Sequence, residues 1–460
     1  MKMYRLILYS LFVSIFISCK EQRAPITETE AKPKTNVIFL MVDDLGYGDL
    51  GSFGQEEIKT PALDQLAKEG TRFTQVYAGS PVCAPSRSVL MTGQHTGHTK
   101  VRGNFAAIEV PELPIAGRIP LAAEDTTIAE LLKANGYVTG MFGKWGLGEA
   151  TTSGEPNLKG FDEWFGFNNQ RRAHNHYPDY VWHNQDTFKI EANADHVESK
   201  HVHELFSEFT FKFLEANKDT SFFMYLPYTL PHDDFKATEA FKALYADKGW
   251  SEQELNYAGM VSMIDADVQK LMDKLEEYGI ADRTMLFFCS DNGAANRYDD
   301  IFNSSGALKG RKRDVYEGGI RTPMIVWMPG TVPAGKINNY PWYFPDVLPT
   351  ICDVTNTEPT KNTDGISVLP AILGKEMPES DRFMYWEFHE NGYDRAVRWK
   401  NWKGVIIGKD GALELYDLSK DEAEENNVAA ENPEVVKTIM EYLKTARSPS
   451  IYWPVEAQSN

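Results

Sequence analysis

The sequence predicts an α/β fold, a large mixed but mostly parallel sheet sandwiched by helices and followed by a smaller α+β subdomain, on three observations. Continuous β-branched and apolar runs recur at 35–42, 137–142, 221–226, 284–290 and 324–327. They lack the alternation of half-exposed strands, which is the pattern of strands covered on both faces. Helical periodicity falls between them, at 60–70, 126–135 and 256–278, and such strand-helix alternation implies parallel neighbours. Beyond Gly374 the character shifts to short aromatic strands broken by Gly-containing turns, then a helix near 433–445, which predicts a small antiparallel sheet packed with one helix.

These shifts divide the 460 residues into 1–18, 19–34, 35–374 and 375–460. Lys2 and Arg5 precede an apolar run from 6 to 17, shaped like an export signal and short for a membrane span. The junction Phe16-Ile17-Ser18-Cys19 resembles a bacterial lipobox, although Phe16 replaces the usual aliphatic residue. That resemblance implies an acylated Cys19, a tether over 19–34 and lipid anchoring in the cell envelope; a plain signal peptide with an incidental cysteine is the alternative. The balance of 47 basic against 66 acidic residues, net −19, argues against nucleic-acid binding, and a polyanionic substrate would need a local basic pocket. Four scattered cysteines (Cys19, Cys83, Cys289, Cys352) make no disulfide framework.

The first buried run ends in Asp43-Asp44. Adjacent carboxylates at the carboxyl end of a buried strand sit where open α/β sheets place ligands, and they repel each other unless a cation lies between them. A hard divalent metal suits them, with a solvated turn as the alternative. Residues 60–70 read as an amphipathic helix capped by Thr60, and 73–77 as the strand that delivers the next motif. That motif, Ser80-Pro81-Val82-Cys83-Ala84-Pro85-Ser86-Arg87, runs on to Thr92-Gly93. It places Cys83 at the mouth of a short helix, with Pro85 in the first turn, Arg87 one turn on and Gly93 as a left-handed stop, a good seat for an oxyanion. Asp265 and Asp267 lie in a helical pattern and read as surface charges. Residues 154–203, with Arg171, Arg172, His174 and His176, read as a substrate-facing insertion or as a solvent-exposed polar loop.

Cys-x-Pro-x-Arg followed by Thr-Gly resembles the signature of the type I sulfatases, in the alkaline-phosphatase-like superfamily. Further segments carry the resemblance across nearly the whole chain. They are Asp43-Asp44-Leu45-Gly46-Tyr47-Gly48-Asp49, Gly143-Lys144-Trp145-Gly146-Leu147-Gly148, Pro231-His232, Ser290-Asp291-Asn292-Gly293, Leu308-Lys309-Gly310-Arg311-Lys312 and Tyr316-Glu317-Gly318-Gly319-Ile320-Arg321. One position departs: Gly146 stands where the family usually has His.

The resemblance implies a sulfuric ester hydrolase in which a maturase converts Cys83 to formylglycine, whose hydrate attacks sulfur. Asp43, Asp44, Asp291 and Asn292 make an all-oxygen set that suits Ca²⁺ over Zn²⁺, and the family places the residue at 83 in the same sphere. Arg87, Lys144 and Lys312 are implied to neutralise the sulfuryl oxygens, and His232 with Lys312 to protonate the leaving alcohol. With no His at 146 the base that regenerates the aldehyde is open; His174 is the candidate, with His176, Arg171 and Arg172 bordering a sugar pocket. Export and the aromatic loop suggest a sulfated glycan, an algal polysaccharide such as ulvan or carrageenan, or a glycosaminoglycan. A phosphate or phosphonate ester hydrolase, and a non-catalytic glycan-binding lipoprotein, are the other readings.

Overall fold

The structure, a computed structural model, describes residues 34–110, 113, 115, 117–295, 301–378 and 380–455. The expected signal, nearly all of the tether and Cys19 lie outside the described residues.

Eleven strands form one sheet. In chain order they are β1 (Asn36–Val42), β2 (Thr71–Tyr77), β3 (Val138–Lys144), β4 (Glu163–Phe167), β5 (Tyr180–His183), β6 (Asp186–Lys189), β7 (Phe222–Pro227), β8 (Thr284–Ser290), β9 (Arg321–Trp327), β10 (Lys336–Asn338) and β11 (Trp342–Tyr343). Their spatial order is β10-β2-β9-β8-β1-β7-β3-β4-β5-β6, with β11 also on β2. The middle of the sheet is parallel: β1 pairs with β7 and β8, and β3 with β7 and β4. Antiparallel pairs occur at β9 and at the β4-β5-β6 edge.

The apolar runs are continuous because helices cover both faces. Ile38, Leu40 and Val42 of β1 join one buried cluster with side chains from α1 (Pro61–Glu69), the helix Val202–Asn217 and the helix Glu252–Glu277. Val37, Phe39 and Met41 join the other, with α2 (Cys83–Thr92), α3 (Ile128–Ala134) and the helix Val347–Thr355. Each such side chain contributes roughly 1.5–3 kcal/mol by burial, so β1 is held from both sides and its carboxyl end is fixed. We call the later helices α4 (Val202–Asn217), α5 (Glu252–Glu277) and α6 (Val347–Thr355).

The structure corrects three local expectations. Thr60 makes no side-chain cap on α1. Asp265, in α5, does this work instead, accepting from the N–H groups of Leu63 (2.8 Å) and Ala62 (3.2 Å); it is 6% exposed and not a surface charge. Asp267 likewise meets His203 (3.3 Å) and the Ser207 hydroxyl (2.8 Å). Periodicity within α5 could not reveal partners supplied by other helices. Third, 154–203 is not wholly a loop: β4, β5 and β6 extend the sheet, β4 by parallel pairing with β3.

A second sheet, β12 (Phe383–Phe388), β13 (Asp394–Trp399), β14 (Trp402–Ile406) and β15 (Glu414–Asp417), is antiparallel throughout. One of its faces shares a core with Tyr77, Val82 and Ile320, and the Trp386 indole donates to the Ala78 carbonyl at 2.8 Å. The other face packs on α7 (Pro433–Leu443) through Ile439. The second sheet thereby buttresses the segment that leads from β2 to Cys83.

Candidate active site

The parallel strands and one helix end deliver the polar motif residues to the carboxyl edge of the large sheet. Asp43 and Asp44 follow β1, Lys144 ends β3, His232 lies five residues past the end of β7, and Asp291 and Asn292 follow β8. Asp44 takes a φ of +67°, an uncommon conformation for a non-glycine residue. The turn is anchored by the Asp43 N–H on the Leu230 carbonyl (2.9 Å), and the Asp291 N–H bonds the Val42 carbonyl at 3.0 Å. Cys83 is the first residue of α2, which stops at Gly93 with φ +69° as the sequence predicts.

Charges interlock around this point. Lys144 Nζ donates to Asp43 Oδ2 (2.5 Å), and both side chains are buried. Arg87 donates from Nε and Nη2 to Asp291 Oδ2 (3.1 and 2.8 Å) and from Nη1 to the Lys144 carbonyl (2.6 Å). Lys312 Nζ donates to Asp44 Oδ2 at 2.6 Å. His232 donates from Nδ1 towards Asp233 Oδ1 (2.8 Å), and its Nε2 accepts from Lys312 Nζ (3.1 Å). Burial alone would raise the Asp43 carboxyl, but Lys144, His232, Arg87 and Lys312 outweigh it and hold the group well below the usual carboxylate range. Asp291 is pushed up to about 6 by burial and by repulsion from Asp43. Burial disfavours the Lys312 ammonium, yet Asp44 holds it above its ordinary value.

The oxygens suit a hard cation. Asp43 Oδ1 and Asn292 Oδ1 are buried and have no hydrogen-bond partner among the described residues, a state that costs roughly 1–3 kcal/mol per group unless something else satisfies it. Asn292 Nδ2 donates to Asp44 Oδ1 (2.8 Å), which turns the amide so that Oδ1 is the unsatisfied atom. One ligand atom each from Asp43, Cys83 and Asp291 lie within 4.8 Å of one another. Three carboxylates (Asp43, Asp44, Asp291) stand against three cations (Arg87, Lys144, Lys312), so a divalent ion held here would give the centre a net positive charge suited to an anionic ligand.

Cys83 is 3% exposed, and its Sγ lies 3.4 Å from Asn104 Oδ1, which also accepts the Ala84 N–H (3.1 Å). Burial pushes the thiol above its ordinary pKa despite Lys144 and Lys312. A thiol kept protonated is a poor nucleophile as it stands. It opens on a cavity of about 500 Å³ whose wall includes Asp44, Asn104, Arg118, Arg171, His174, His232 and Lys312.

The structure does not gather every candidate here. His174 is on the wall, its ring 4.2 Å from that of His232. Burial, His232 and Lys144 push it down to about 3, which favours the neutral imidazole on this wall. His176 does not border the pocket: it is 1% exposed and its Nε2 lies 3.0 Å from the His232 carbonyl, beneath the site. Arg172 also misses it, pairing with Asp179 (3.1 Å) and stacking on Tyr180 (3.7 Å to the ring centroid). Sequence reasoning in turn missed Asn104 and Arg118, which reach the cavity from segments with no motif, Gln170, which lies in the insertion but is not singled out there, and Asp233, which adjacency to His232 could have flagged. A neighbouring cavity of about 800 Å³ shares Asp233, but Glu198, Glu204, Glu239 and Glu252 line it, and their charge opposes a polyanion.

Fold and site together define an ester hydrolase centre, with oxygens for a hard cation beside a helix N-terminus and a cation-lined cavity. The sulfatase family model matches residues 35–357, and a model described as N-sulphoglucosamine sulphohydrolase, C-terminal, matches 310–448. N-acetylgalactosamine-6-sulfatase of Sus scrofa is 33% identical over 374 residues, covering 78% of this chain and 69% of its own. An arylsulfatase of Hemicentrotus pulcherrimus is 34% identical over 401 residues, covering 81% and 67%. The crystal structure of Ps i-CgsB in complex with k-i-k-neocarrahexaose superposes with a TM-score of 0.79 at 29% identity, covering 92% of this chain and 95% of that one. The chain belongs to the sulfatase family and is a sulfuric ester hydrolase.

Proposed function

We propose that the protein hydrolyses sulfate esters of a sulfated carbohydrate at the Cys83 cavity, using a formylglycine made from Cys83 and a Ca²⁺ held by Asp43, Asp44, Asp291 and Asn292. The observation that carries this reading is that a buried thiol at a helix N-terminus shares a cavity wall with Asp44 and Lys312, directly beside a partly unsatisfied oxygen cluster whose carboxylates pair with the buried cations Lys144 and Arg87. A formylglycine hydrate supplies the hydroxyl nucleophile that a protonated thiol does not. The divalent ion supplies Lewis-acid polarisation and charge.

The chain's own residues do the rest. Arg87 and Lys144 fix Asp291 and Asp43 and bring positive charge beside position 83. Lys312 sits between Asp44 and His232, ready to contact a sulfuryl oxygen. The proton that Lys312 Nζ donates towards His232 Nε2 passes through that nitrogen to the leaving sugar oxygen, and Lys312 regains one from solvent, while Asp233 fixes the imidazole through Nδ1. His174 is a neutral hydrogen-bonding partner at the wall, and Arg171, exposed at its rim, contacts sulfate or a uronate.

A sugar substrate is supported by relatives named for N-acetylgalactosamine 6-sulfate and by a structural neighbour bound to a neocarrahexaose. We place the protein in the cell envelope through acylated Cys19, on sequence alone. A panel of sulfated oligosaccharides, with matched phosphate esters as controls, tests the activity. Sulfate release from at least one sugar, abolished by Cys83→Ala, is expected. Phosphate release without sulfate release overturns the reading.

A further inference from the structure

Position 146 is a glycine with φ +84°, and a Cβ built there meets Gln170 Nε2 at 2.4 Å. A side chain at 146 would therefore have to displace the Gln170 amide from its present position. Gln170 is 4% exposed, donates from Nε2 to the Gly146 carbonyl at 3.0 Å and accepts at Oε1 from Arg118 Nη1. The Arg118 guanidinium lies over the Phe105 ring, 4.7 Å from its centroid, and its Nε is buried without a hydrogen-bond partner. The guanidinium's one hydrogen-bond partner among the described residues is the neutral amide of Gln170. Arg118 shares the cavity wall with Cys83.

We propose that Arg118, held by Gln170 in the space that Gly146 leaves open, is the group that grips the sulfate beside position 83, where the family otherwise carries a histidine. The proposal rests on the sulfatase reading of this site and names the residue that completes it. With no carboxylate in hydrogen-bond contact among the described residues, the guanidinium keeps its donors for a ligand, and its planar fork suits a tetrahedral oxyanion. Phe105 and Gln170 restrict its rotamers, so little freedom is lost on binding. An imidazole at 146 could both donate and accept protons. Arg118 only donates, so it binds the anion and leaves proton acceptance to solvent.

The test is calorimetric titration of inorganic sulfate into protein with Cys83 unconverted, dialysed against CaCl₂, which needs no turnover. Arg118→Gln is expected to weaken sulfate binding at least about tenfold, the worth of a charge-assisted hydrogen bond, with the melting temperature kept. Gln170→Ala, which leaves the charge but removes its anchor, is expected to lose about threefold or more. Arg118→Lys should recover part of the loss, and Arg172→Gln, already paired with Asp179, should bind as wild type. Wild-type affinity within twofold in folded Arg118→Gln overturns the proposal; should that variant not fold, unchanged affinity in Gln170→Ala does so. Absence of measurable sulfate binding by the wild type also overturns it. Failure of the sulfatase reading looks different: converted wild type then releases sulfate from no sugar, whatever Arg118 binds.

Discussion

Replacing Lys144 with Met tests how the charges of the site are balanced. Lys144 Nζ and Asp43 Oδ2 are 2.5 Å apart with both side chains buried. At an effective dielectric of about 20, two unit charges at that distance attract by roughly 6–7 kcal/mol. Part of this is returned because the ammonium no longer has to be desolvated. Arg87, 3.6 Å from the same oxygen, remains. The net cost of stranding one buried partner is then about 3–5 kcal/mol. Urea unfolding of Lys144→Met in chelator should show that loss, and added Ca²⁺ should shrink it, because the ion replaces the missing positive charge. The double variant Asp43→Asn, Lys144→Met removes both charges. It should recover most of the stability in chelator, yet neither activity nor the protection by Ca²⁺. Catalysis by the single variant should fall by about 10²–10³ in kcat, the effect of removing one preorganised donor. A loss below 1 kcal/mol in chelator, or a double variant no more stable than the single one, would refute the reasoning.

Exhaustive chelation of the wild type should lower the melting temperature and abolish turnover, with Ca²⁺ at one hundred times its Kd restoring about 2.7 kcal/mol; unchanged melting would leave the Asp43-Asp44 turn merely solvated. Peptide mass spectrometry from a host with a maturase should show the Cys83 thiol lost, and fully active enzyme with intact Cys83 would count against conversion. Labelled palmitate should enter the wild type and not Cys19→Ala, whereas label in both would reassign the acylation. His95 and His176 are each pushed down to about 4, chiefly by burial, from 6.5. They fold as neutral imidazoles, so their contribution is present above pH 6.5 and is lost as pH falls towards 4, about 2 kcal/mol each by pH 5. His176→Gln should therefore flatten the fall in unfolding free energy between pH 7 and 5, and an unaltered slope would show that His176 does not titrate in that range.

How much of the site is legible in the sequence depends on where its residues lie relative to regular structure. A parallel strand buried on both faces shows as an unbroken apolar run, and the residues just past its end must lie at the sheet edge. Asp43, Lys144, Asp291 and Asn292 can be placed together on that pattern alone, and Cys83 because helix punctuation flanks it. Nothing comparable marks Arg118, whose side chain bonds the distant Gln170, or Asn104, which meets Cys83 across a loop. Contacts of that kind have no period. His174 and His176 show the finer limit: two residues apart, they read in sequence as one substrate-facing pair, yet a single turn of Arg172–His174 sends one to the wall and the other under His232. Gly146 is the instructive intermediate. The sequence exposes the absent side chain, and only packing tells that Gln170 has taken its place. A glycine at a motif position is therefore better read as room made for another group than as a function lost, since that room holds a buried glutamine bonded to an arginine that has no carboxylate in hydrogen-bond contact among the described residues.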